Sequence, residues 1–484
     1  MKTVRFTLAA FALAALAACS TGPKYERPVV TVPAQWVVEA PWRESAPSDS
    51  IARGPWWQRF GDPQLDALEQ QAMAASPTLA VAGARLAQAR AQVNAASAGL
   101  FPQLNLNARI ARSRISALRP LTNYNSPNQT TVQDDYQLAF GVAYEADLFG
   151  RVRGGVDAAQ ATAQQSAADF ENVRLVLASD LAANYFNLRG LDIELDVLAR
   201  SIALQRKALD LVTSRHDLGS TSGLEVAQQQ ALLDNTLTQV DVLRRQRSQF
   251  EHAIATLVGT PAPLFSMAPE ASPRQPPALP IGVPSDLLER RPDIAAAERA
   301  VAAANAQIGV ARAAYYPSII INPLVGVDSN AISRLFDAPA LLWSLGASLA
   351  QPLFDAGRTD ANVAFARAGY EAAVGNYRRV VLTAMQEVED GITGSAALDR
   401  ALAQARQAVV SAEKVLSLAN DRYEGGVASY LDVITAQQAQ LNGQRLEAQL
   451  LGQRLLVSVF LVKALGGDWG GPPGVASRSL GSLR

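Results

Sequence analysis

The sequence is poor in the residues on which disulfide-bonded, metal-binding and nucleic-acid-binding proteins depend. Its 484 residues include one cysteine and two histidines, which excludes an intrachain disulfide and a Cys/His zinc cluster. Lys and Arg number 43 against 44 Asp and Glu, and this balance argues against a general nucleic-acid binder. Aromatic residues make up only 6% of a chain that is 49% hydrophobic, because alanine supplies much of the apolar content. This composition favours helices over several bulky cores.

Long apolar runs and catalytic constellations are also missing. After the amino terminus no segment reaches the roughly 18 apolar residues of a membrane-spanning helix, and the best run, 455–462, is short. If the chain crosses a membrane, it must therefore do so as β-strands. We find no Ser/His/Asp set, paired-carboxylate cleft or phosphate loop, so we expect neither enzymatic activity nor a cofactor.

The amino terminus resembles a bacterial lipoprotein signal peptide over residues 1–18. Two basic residues precede a 13-residue apolar run, 6–18, which is too short to span a bilayer. The run ends in two alanines followed by Cys19, where a lipoprotein signal peptidase cleaves. We predict that Cys19 is the mature N-terminus and carries covalent lipid, whose buried methylenes contribute about 0.8 kcal/mol each. Ser20 resembles the pattern of lipoproteins sorted to the outer membrane. The alternative is ordinary signal cleavage that leaves a free thiol.

The rest of the chain is a duplication. Residues 77–102 align without gaps on 292–317, with two prolines and a glutamine in register. Two further matches follow in the same order, pairing 147–149 with 352–354 and 215–226 with 422–433. We therefore predict a first repeat at 62–259 and a second repeat at 285–465.

Three segments lie outside the repeats. Residues 19–61 form an N-terminal, lipid-anchored extension. Residues 260–284 contain eight prolines, which predict an extended linker. The Gly/Pro/Ser-rich residues 466–484 are predicted to form a flexible tail.

Both repeats have the same predicted elements. Each begins with a helix, at about 77–99 and 292–314, followed by two strands in which apolar residues alternate with small or polar ones. The predicted strands are at about 101–115 and 134–149, and at about 316–329 and 341–354. Helices of about 65 residues follow, at about 152–216 and 359–422, and each would be about 100 Å long if continuous. A turn at Gly219, or at Gly425 and Gly426, leads into return helices at about 222–258 and 429–465.

The strands and helices together favour a membrane tube. A half-buried soluble sheet would show the same alternation, but the lipoprotein signal and the aromatics on the apolar side favour an outer-membrane barrel. Four strands cannot close a barrel, and an open edge in lipid is costly, so the barrel must be shared between chains. Two chains would supply eight strands and three would supply twelve. Helices with polar residues on more than one face suit a wall that is wet on both sides.

Several motifs, in order along the chain, resemble outer-membrane efflux lipoproteins of the TolC-like outer membrane factor family, NodT subfamily. The resemblance covers nearly all of the mature chain, from Cys19 to about Gly466. Its motifs are Cys19 with Gly22-Pro23-Lys24-Tyr25, Trp56-Trp57, Arg290-Arg291-Pro292-Asp293, Gly309-Val310-Ala311-Arg312, Gln351-Pro352-Leu353-Phe354 and Gln386-Glu387-Val388-Glu389-Asp390.

The resemblance implies a fold, partners and a function. The fold would be mainly α, with a twelve-stranded outer-membrane β-barrel shared by a homotrimer, a long periplasmic α-helical barrel and an equatorial belt built from the linker. The trimer would conduct small molecules such as drugs passively from an inner-membrane RND-type pump and a periplasmic adaptor, the membrane fusion protein. Secretion of polypeptides with an ABC exporter is the alternative within this class. A lipid-anchored periplasmic coiled-coil adaptor is the alternative from another class, and it does not explain the amphipathic hairpins.

The resemblance also implies a periplasmic gate at the helix tips. Asp432 would ring the lumen with acidic groups, Glu225 is its counterpart in the first repeat, and Tyr423 could link the tips through its hydroxyl. The sequence departs from the family pattern at two positions. Ala428 stands where some members have an arginine that ties the gate shut, and Thr435 stands where they have a second aspartate, so the resemblance does not extend to a salt-bridged latch. The competing interpretation is helix capping, because a serine stands three residues before each acid.

Four other polar residues carry weaker expectations. His216 and His252 are predicted to be surface or tip residues rather than metal ligands. Arg112 and Arg114 follow the apolar part of the first strand, and we place them in the outer loop rather than in a selectivity ring.

Overall fold

The computed structural model describes residues 22–28, 55–118, 130–277 and 291–467. The predicted signal peptide, Cys19 and nearly all of the predicted C-terminal tail lie outside the described residues. The same is true of part of the N-terminal extension and of the end of the predicted linker.

The helices occur in two matching series. Helices α2 and α5 have 22 residues each, α3 and α6 have 67, and α4 and α7 have 35, which confirms the duplication. The predicted bounds of these helices differ from the observed ones by at most two residues. The bounds are α1 Pro63–Ala75, α2 Pro77–Ala98, α3 Arg151–Asp217, α4 Gly223–Leu257, α5 Pro292–Ala313, α6 Arg358–Glu424 and α7 Tyr430–Ala464. Among the described residues, short 3-10 helices accompany them at Trp56–Phe60, Ala262–Leu264, Ile332–Arg334 and Ala338–Ala340.

In the described ranges, six strands form one antiparallel sheet. They are β1 Gln103–Ile115, β2 Thr131–Glu145, β3 Ser318–Ile321, β4 Leu324–Ser329, β5 Leu341–Ser344 and β6 Ala347–Ala350. Strand β2 pairs with β1 on one side and with β4 and β3 on the other, and these pair in turn with β5 and β6. Within the described chain, β1 and the β5–β6 line therefore each have a neighbour on one side only.

Two of the predicted strands differ from the observed ones, because one ends earlier and the other is interrupted. The strand predicted at 134–149 ends at Glu145, because the Asp147 carboxylate accepts the backbone N–H groups of Val152 (3.1 Å) and Arg153 (2.8 Å) and so begins α3. The strand predicted at 316–329 is two strands, since Pro323 between them has no N–H to donate to the ladder.

The last strand, predicted at 341–354, is likewise two short strands that end at Ala350. The break between them faces the break at Pro323, where the Asn322 N–H donates to the carbonyl of Gly346 at 2.9 Å. The two interruptions therefore occur side by side in neighbouring strands and share this hydrogen bond.

One face of the sheet is apolar and open to its surroundings. Its exposed side chains, which occupy cross-strand positions in register, are Leu104, Leu106, Ile110, Phe140, Val325, Leu341 and Trp343. The prediction that Arg112 and Arg114 lie in a loop was wrong, because β1 continues to Ile115. Arg112 pairs with Asp134 across the ladder at 3.6 Å, and Arg114 donates to Thr130 at 3.2 Å. The hydrogen-bonded ladder between β1 and β2 therefore continues past the apolar residues of these strands.

Contacts divide the chain into a sheet unit and a helical unit. The sheet unit contains the residues up to Pro28, Leu86–Ser166 and Ala297–Tyr377, and the helical unit contains the remainder. The core of the helical unit includes Trp56, Trp57, Phe60, Leu65, Tyr185, Phe186, Ile254, Ile392 and Leu461.

A buried charge network fixes the described part of the linker to the helical unit. The Asp192 carboxylate is almost fully buried and accepts hydrogen bonds from Arg189 and Arg247, each at 2.7 Å. It also accepts the backbone N–H of Glu270 at 3.0 Å. Because both cations and a linker amide converge on one buried carboxylate, the linker is held by specific bonds rather than by apolar contact alone.

Candidate functional site

The two helix–helix turns are built alike and bring the predicted gate residues to one end of the helical unit. Gly219 has φ +73° and Gly426 has φ +72°, a left-handed conformation that favours glycine. In each turn an N–H just beyond the glycine donates to a carbonyl five residues back, Ser220 to Arg215 at 2.8 Å and Val427 to Arg422 at 2.9 Å. This is the Schellman arrangement that ends a helix. Of the predicted pair Gly425 and Gly426, Gly425 does not have a positive φ.

Glu225 connects the two repeats at these tips. Its carboxylate accepts a hydrogen bond from the Tyr423 hydroxyl at 2.7 Å, and a second from the Thr221 hydroxyl. Glu225 lies at the start of α4, whereas Tyr423 lies at the end of α6, 198 residues later. The expected capping box at Glu225 is absent, because the Ser222 side chain makes no cap hydrogen bond and the carboxylate faces Tyr423 instead.

The ring of Tyr423 is held by two neighbours. The guanidinium of Arg215 lies 5.5 Å from its centroid, and the ring of Tyr430 lies 5.0 Å away. The Tyr430 hydroxyl in turn donates to the side-chain oxygen of Gln229 at 2.8 Å. Burial, together with the nearby charges of Tyr423 and Glu225, raises the pKa of Tyr430 to about 12, so Tyr430 stays protonated.

Asp432 takes no part in this contact. It is exposed, and its carboxylate accepts the backbone N–H of Ser429 at 3.1 Å and the Ser429 hydroxyl at 3.2 Å. These bonds belong to a capping box at the start of α7. The aligned acids of the two repeats thus make different contacts, one within its own helix end and one to the other repeat.

Sequence reasoning missed part of this cluster. Tyr430 and Gln229 are buried at the tip, and Gln229 also donates to the backbone carbonyl of Gln205 at 3.1 Å. Arg215 belonged to a matched motif, but nothing in the motif indicated contact with an aromatic ring. His216 lies in the same turn, exposed, with its Nδ1 3.1 Å from the Thr221 carbonyl oxygen. In the described ranges, no group of acidic, histidine or cysteine side chains is arranged to hold a metal ion.

Within the sheet unit, a short segment following the predicted lipidation site runs along α5. The Asn305 side chain donates to the carbonyl of Pro23 at 2.9 Å, and Arg27 pairs with Glu298 at 3.1 Å. Gly309 lies so close to Gly22 that a Cβ on Gly309 would be 2.9 Å from the Gly22 Cα. We call residues 22–28 the strap. Cys19, three residues before the strap, lies outside the described residues.

No helix in the described part of the chain is long and apolar enough to cross a membrane.

The chain is similar to efflux proteins over most of its length. It matches the family described as "Outer membrane efflux protein" over residues 68–260 and 283–467. The pyoverdine export outer membrane protein OpmQ of Pseudomonas aeruginosa is 32% identical over 456 residues, which cover 94% of this chain and 95% of OpmQ. The toluene efflux pump outer membrane protein TtgF of Pseudomonas putida is 30% identical over 466 residues, with coverage of 94% and 95%.

Solved structures agree with this match. The outer-membrane channel OprN has a TM-score of 0.85 and 29% identity, covering 93% of this chain and 100% of that chain. CusC has a TM-score of 0.82 and 26% identity, with the same coverage. The structural neighbours are outer-membrane channels of the TolC-like fold, and family members are channels rather than enzymes. Because both repeats match and relatives agree from end to end, the chain belongs to the outer membrane efflux protein family.

Proposed function

We propose that three copies of the chain form the outer-membrane duct of a tripartite efflux system. The duct receives small molecules from an inner-membrane RND-type pump through a periplasmic adaptor and conducts them passively to the exterior. The names of relatives support small cargo, since they refer to export of pyoverdine and to efflux of toluene and of antibiotics.

The observation that carries the proposal is the sheet, which has an exposed apolar face and two edges with no partner strand among the residues that the structure describes. The apolar face suits lipid, and each open edge needs a strand from another chain if it lies in a membrane. With β3–β4 and β5–β6 counted as interrupted single strands, each chain contributes four strands, and three chains close a twelve-stranded barrel.

Planar-bilayer recording tests the duct. Purified protein whose mass in detergent corresponds to three chains is expected to give discrete conductance steps. Trimeric protein that forms no pore would overturn the proposal. Export of small dyes by cells that carry the gene with its pump and adaptor, compared with secretion of a polypeptide cargo, separates efflux from the alternative of protein export.

The Tyr423–Glu225 contact is proposed to hold the periplasmic end of the duct closed. It joins the hairpin of the first repeat to that of the second through a hydroxyl–carboxylate hydrogen bond, and such bonds are stronger than those between neutral groups. Breaking it allows one tip to move without the other. Asp432 remains a second gate candidate, at the mouth of the same tips.

We also propose that Cys19 carries covalent lipid. The strap supports this placement because its residues, which begin three positions after Cys19, are bound along α5 and approach the end of the helix that leads into β3. Mass spectrometry of the N-terminal peptide tests lipidation directly. In the Cys19→Ala variant we expect loss of the lipid mass and weaker association with outer membrane. A wild-type N-terminal peptide whose mass corresponds to Cys19 without lipid would overturn the anchor.

A further inference from the structure

A cavity of about 480 Å³ lies between the end of α5 and the start of α6, within the sheet unit. Aromatic and cationic side chains form its walls together with small apolar ones. The lining residues are Arg312, Tyr315, Tyr316, Asp360, Val363, Ala364 and Arg367. We call it the arginine pocket.

The pocket has hydrogen-bond donors to spare. The Asp360 carboxylate is engaged by the Tyr315 hydroxyl. Among the described residues, neither Arg312 nor Arg367 lies within ion-pair distance of a carboxylate. A guanidinium has five N–H donors and no acceptor, so this pocket suits a ligand that presents several oxygen acceptors beside an apolar body.

The strap leads to this pocket. As the strap runs toward the amino terminus, its contacts advance along α5 from Glu298 through Asn305 to Gly309. At 100° per residue, these three positions and Arg312 fall within a stripe about 60° wide on the helix surface. The next contact along this stripe after Gly309 is therefore Arg312, in the pocket wall.

The distance from the strap to the arginine pocket can be spanned by the residues between Cys19 and Gly22. Cys19 is three residues before Gly22, and three extended residues span at most about 10 Å. Arg312 is three residues beyond Gly309, a rise of about 4.5 Å along the helix. Cys19 can thus reach the pocket while the strap keeps its observed contacts.

From these contacts we infer that the arginine pocket binds the lipidated Cys19 of its own chain. The ester and amide oxygens of the acylated cysteine accept hydrogen bonds from Arg312 and Arg367, and the acyl chains leave over Phe365, which is 82% exposed. The inference rests on the proposed lipidation. Binding in the pocket gives the lipid anchor a fixed position on the protein. An unbound N-terminal segment would not fix that position.

The first repeat lacks the residues that form the arginine pocket and the close strap contact in the second repeat. This difference agrees with the presence of one strap per chain. The positions of the first repeat that align with Arg312 and Arg367 are Ser97 and Gln160, which cannot supply a guanidinium. Gly309 aligns with Asn94, whose side chain would obstruct the close approach that Gly309 allows. The strap and the pocket therefore belong to the second repeat alone.

Photo-crosslinking on the full-length, membrane-expressed protein tests the inference. A benzophenone amino acid replaces Ala364 in the pocket wall and, as a control, exposed Ala372 two turns further along α6. Trypsin releases Cys19–Lys24 as one peptide, so mass spectrometry reports both its lipid and any crosslink. We expect the lipidated peptide to be crosslinked from position 364 and not from 372.

Variants then test the guanidiniums. Arg312→Gln with Arg367→Gln is expected to lower the crosslink yield about tenfold, the loss expected for one charge-assisted hydrogen bond. Arg90→Gln, at an exposed arginine on α2, is expected to leave it unchanged. Lipidated peptide without a crosslink, or position 364 crosslinked to membrane phospholipid instead, overturns the docking. A peptide that carries no lipid overturns the anchor itself.

Discussion

Replacing Tyr423 with phenylalanine removes one oxygen atom from the helix tips and tests the proposed gate directly. The phenyl ring keeps the contacts with Arg215 and Tyr430, because those contacts use the ring and not the hydroxyl. The hydrogen bond of 2.7 Å to Glu225 is lost. The change therefore separates the link between the repeats from the packing around it.

The size of the effect follows from the surroundings of Glu225. A hydrogen bond to a charged group contributes about 1.5–3 kcal/mol, and the low end applies here because both partners are half-buried. The Thr221 hydroxyl still serves the carboxylate after the change, so about 1 kcal/mol per chain is a reasonable value. In a trimer that opens in concert the loss sums to about 3 kcal/mol, which moves the closed-to-open ratio about a hundredfold toward open.

Single-channel recording in planar bilayers measures this ratio. We expect Tyr423→Phe to spend far more time in conducting states, and to do so at the conductance of the wild type, since the change leaves the pore wall unaltered. Tyr430→Phe is the comparison variant, because it also removes a tyrosine hydroxyl and a hydrogen bond between the repeats, but one whose acceptor is the neutral amide of Gln229, so we expect a smaller effect. A Tyr423→Phe channel that stays as closed as the wild type, or a larger effect from Tyr430→Phe, would refute the reasoning.

Three further predictions concern stability and the second gate candidate. Burial, and then the charge of Asp66, raise the pKa of Glu69 well above its usual value, so stability present below about pH 4.5 is lost as the pH rises through the folded pKa. Glu69→Gln should abolish this slope in thermal unfolding and stabilise the protein by about 1–3 kcal/mol at high pH, and an unchanged slope would contradict it. Gly426→Ala should destabilise its turn by about 1–2 kcal/mol, measured by hydrogen exchange, and Gly425→Ala by much less. Asp432→Ala should cost about 1 kcal/mol through the lost cap, and unchanged conductance and divalent-cation block would reject its role in the gate.

The regular parts of the fold could be read from the sequence because local signals specify them. Long runs without proline, closed by Gly219 and Gly426, gave helix bounds within two residues of those observed. The interruption of a strand at Pro323 also has a local cause, the missing N–H, although a prediction based on alternation alone joined the two pieces. The alternation of apolar residues could not indicate that the neighbouring strand, β5–β6, is interrupted beside Pro323.

The candidate site was harder to predict, because its decisive contact joins residues far apart in the chain. A serine three residues before Glu225 is a capping signature, and the same signature at Asp432 is a real cap. At Glu225 the cap from Ser222 is absent, and the carboxylate accepts hydrogen bonds from Tyr423 of the other repeat and from the Thr221 hydroxyl. A sequence pattern that spans four residues cannot distinguish these two outcomes, since the hydroxyl that decides between them belongs to the other repeat.

The duplication itself explains how one pair of residues can control the tips. Aligned positions of the two turns have diverged, so that tyrosine in the second repeat faces glutamate in the first, while the reciprocal positions are His216 and Asp432 and make only local contacts. A closed ring built from two identical turns would need the same contact in both directions. With the repeats diverged, the Tyr423–Glu225 bond supplies a hydroxyl–carboxylate link between the repeats in each chain, beside the neutral link from Tyr430 to Gln229, and the proposed trimer has three hydroxyl–carboxylate links of this kind. Opening then requires the loss of three hydroxyl–carboxylate hydrogen bonds of modest strength. A partner protein that binds the tips can supply the free energy for this change.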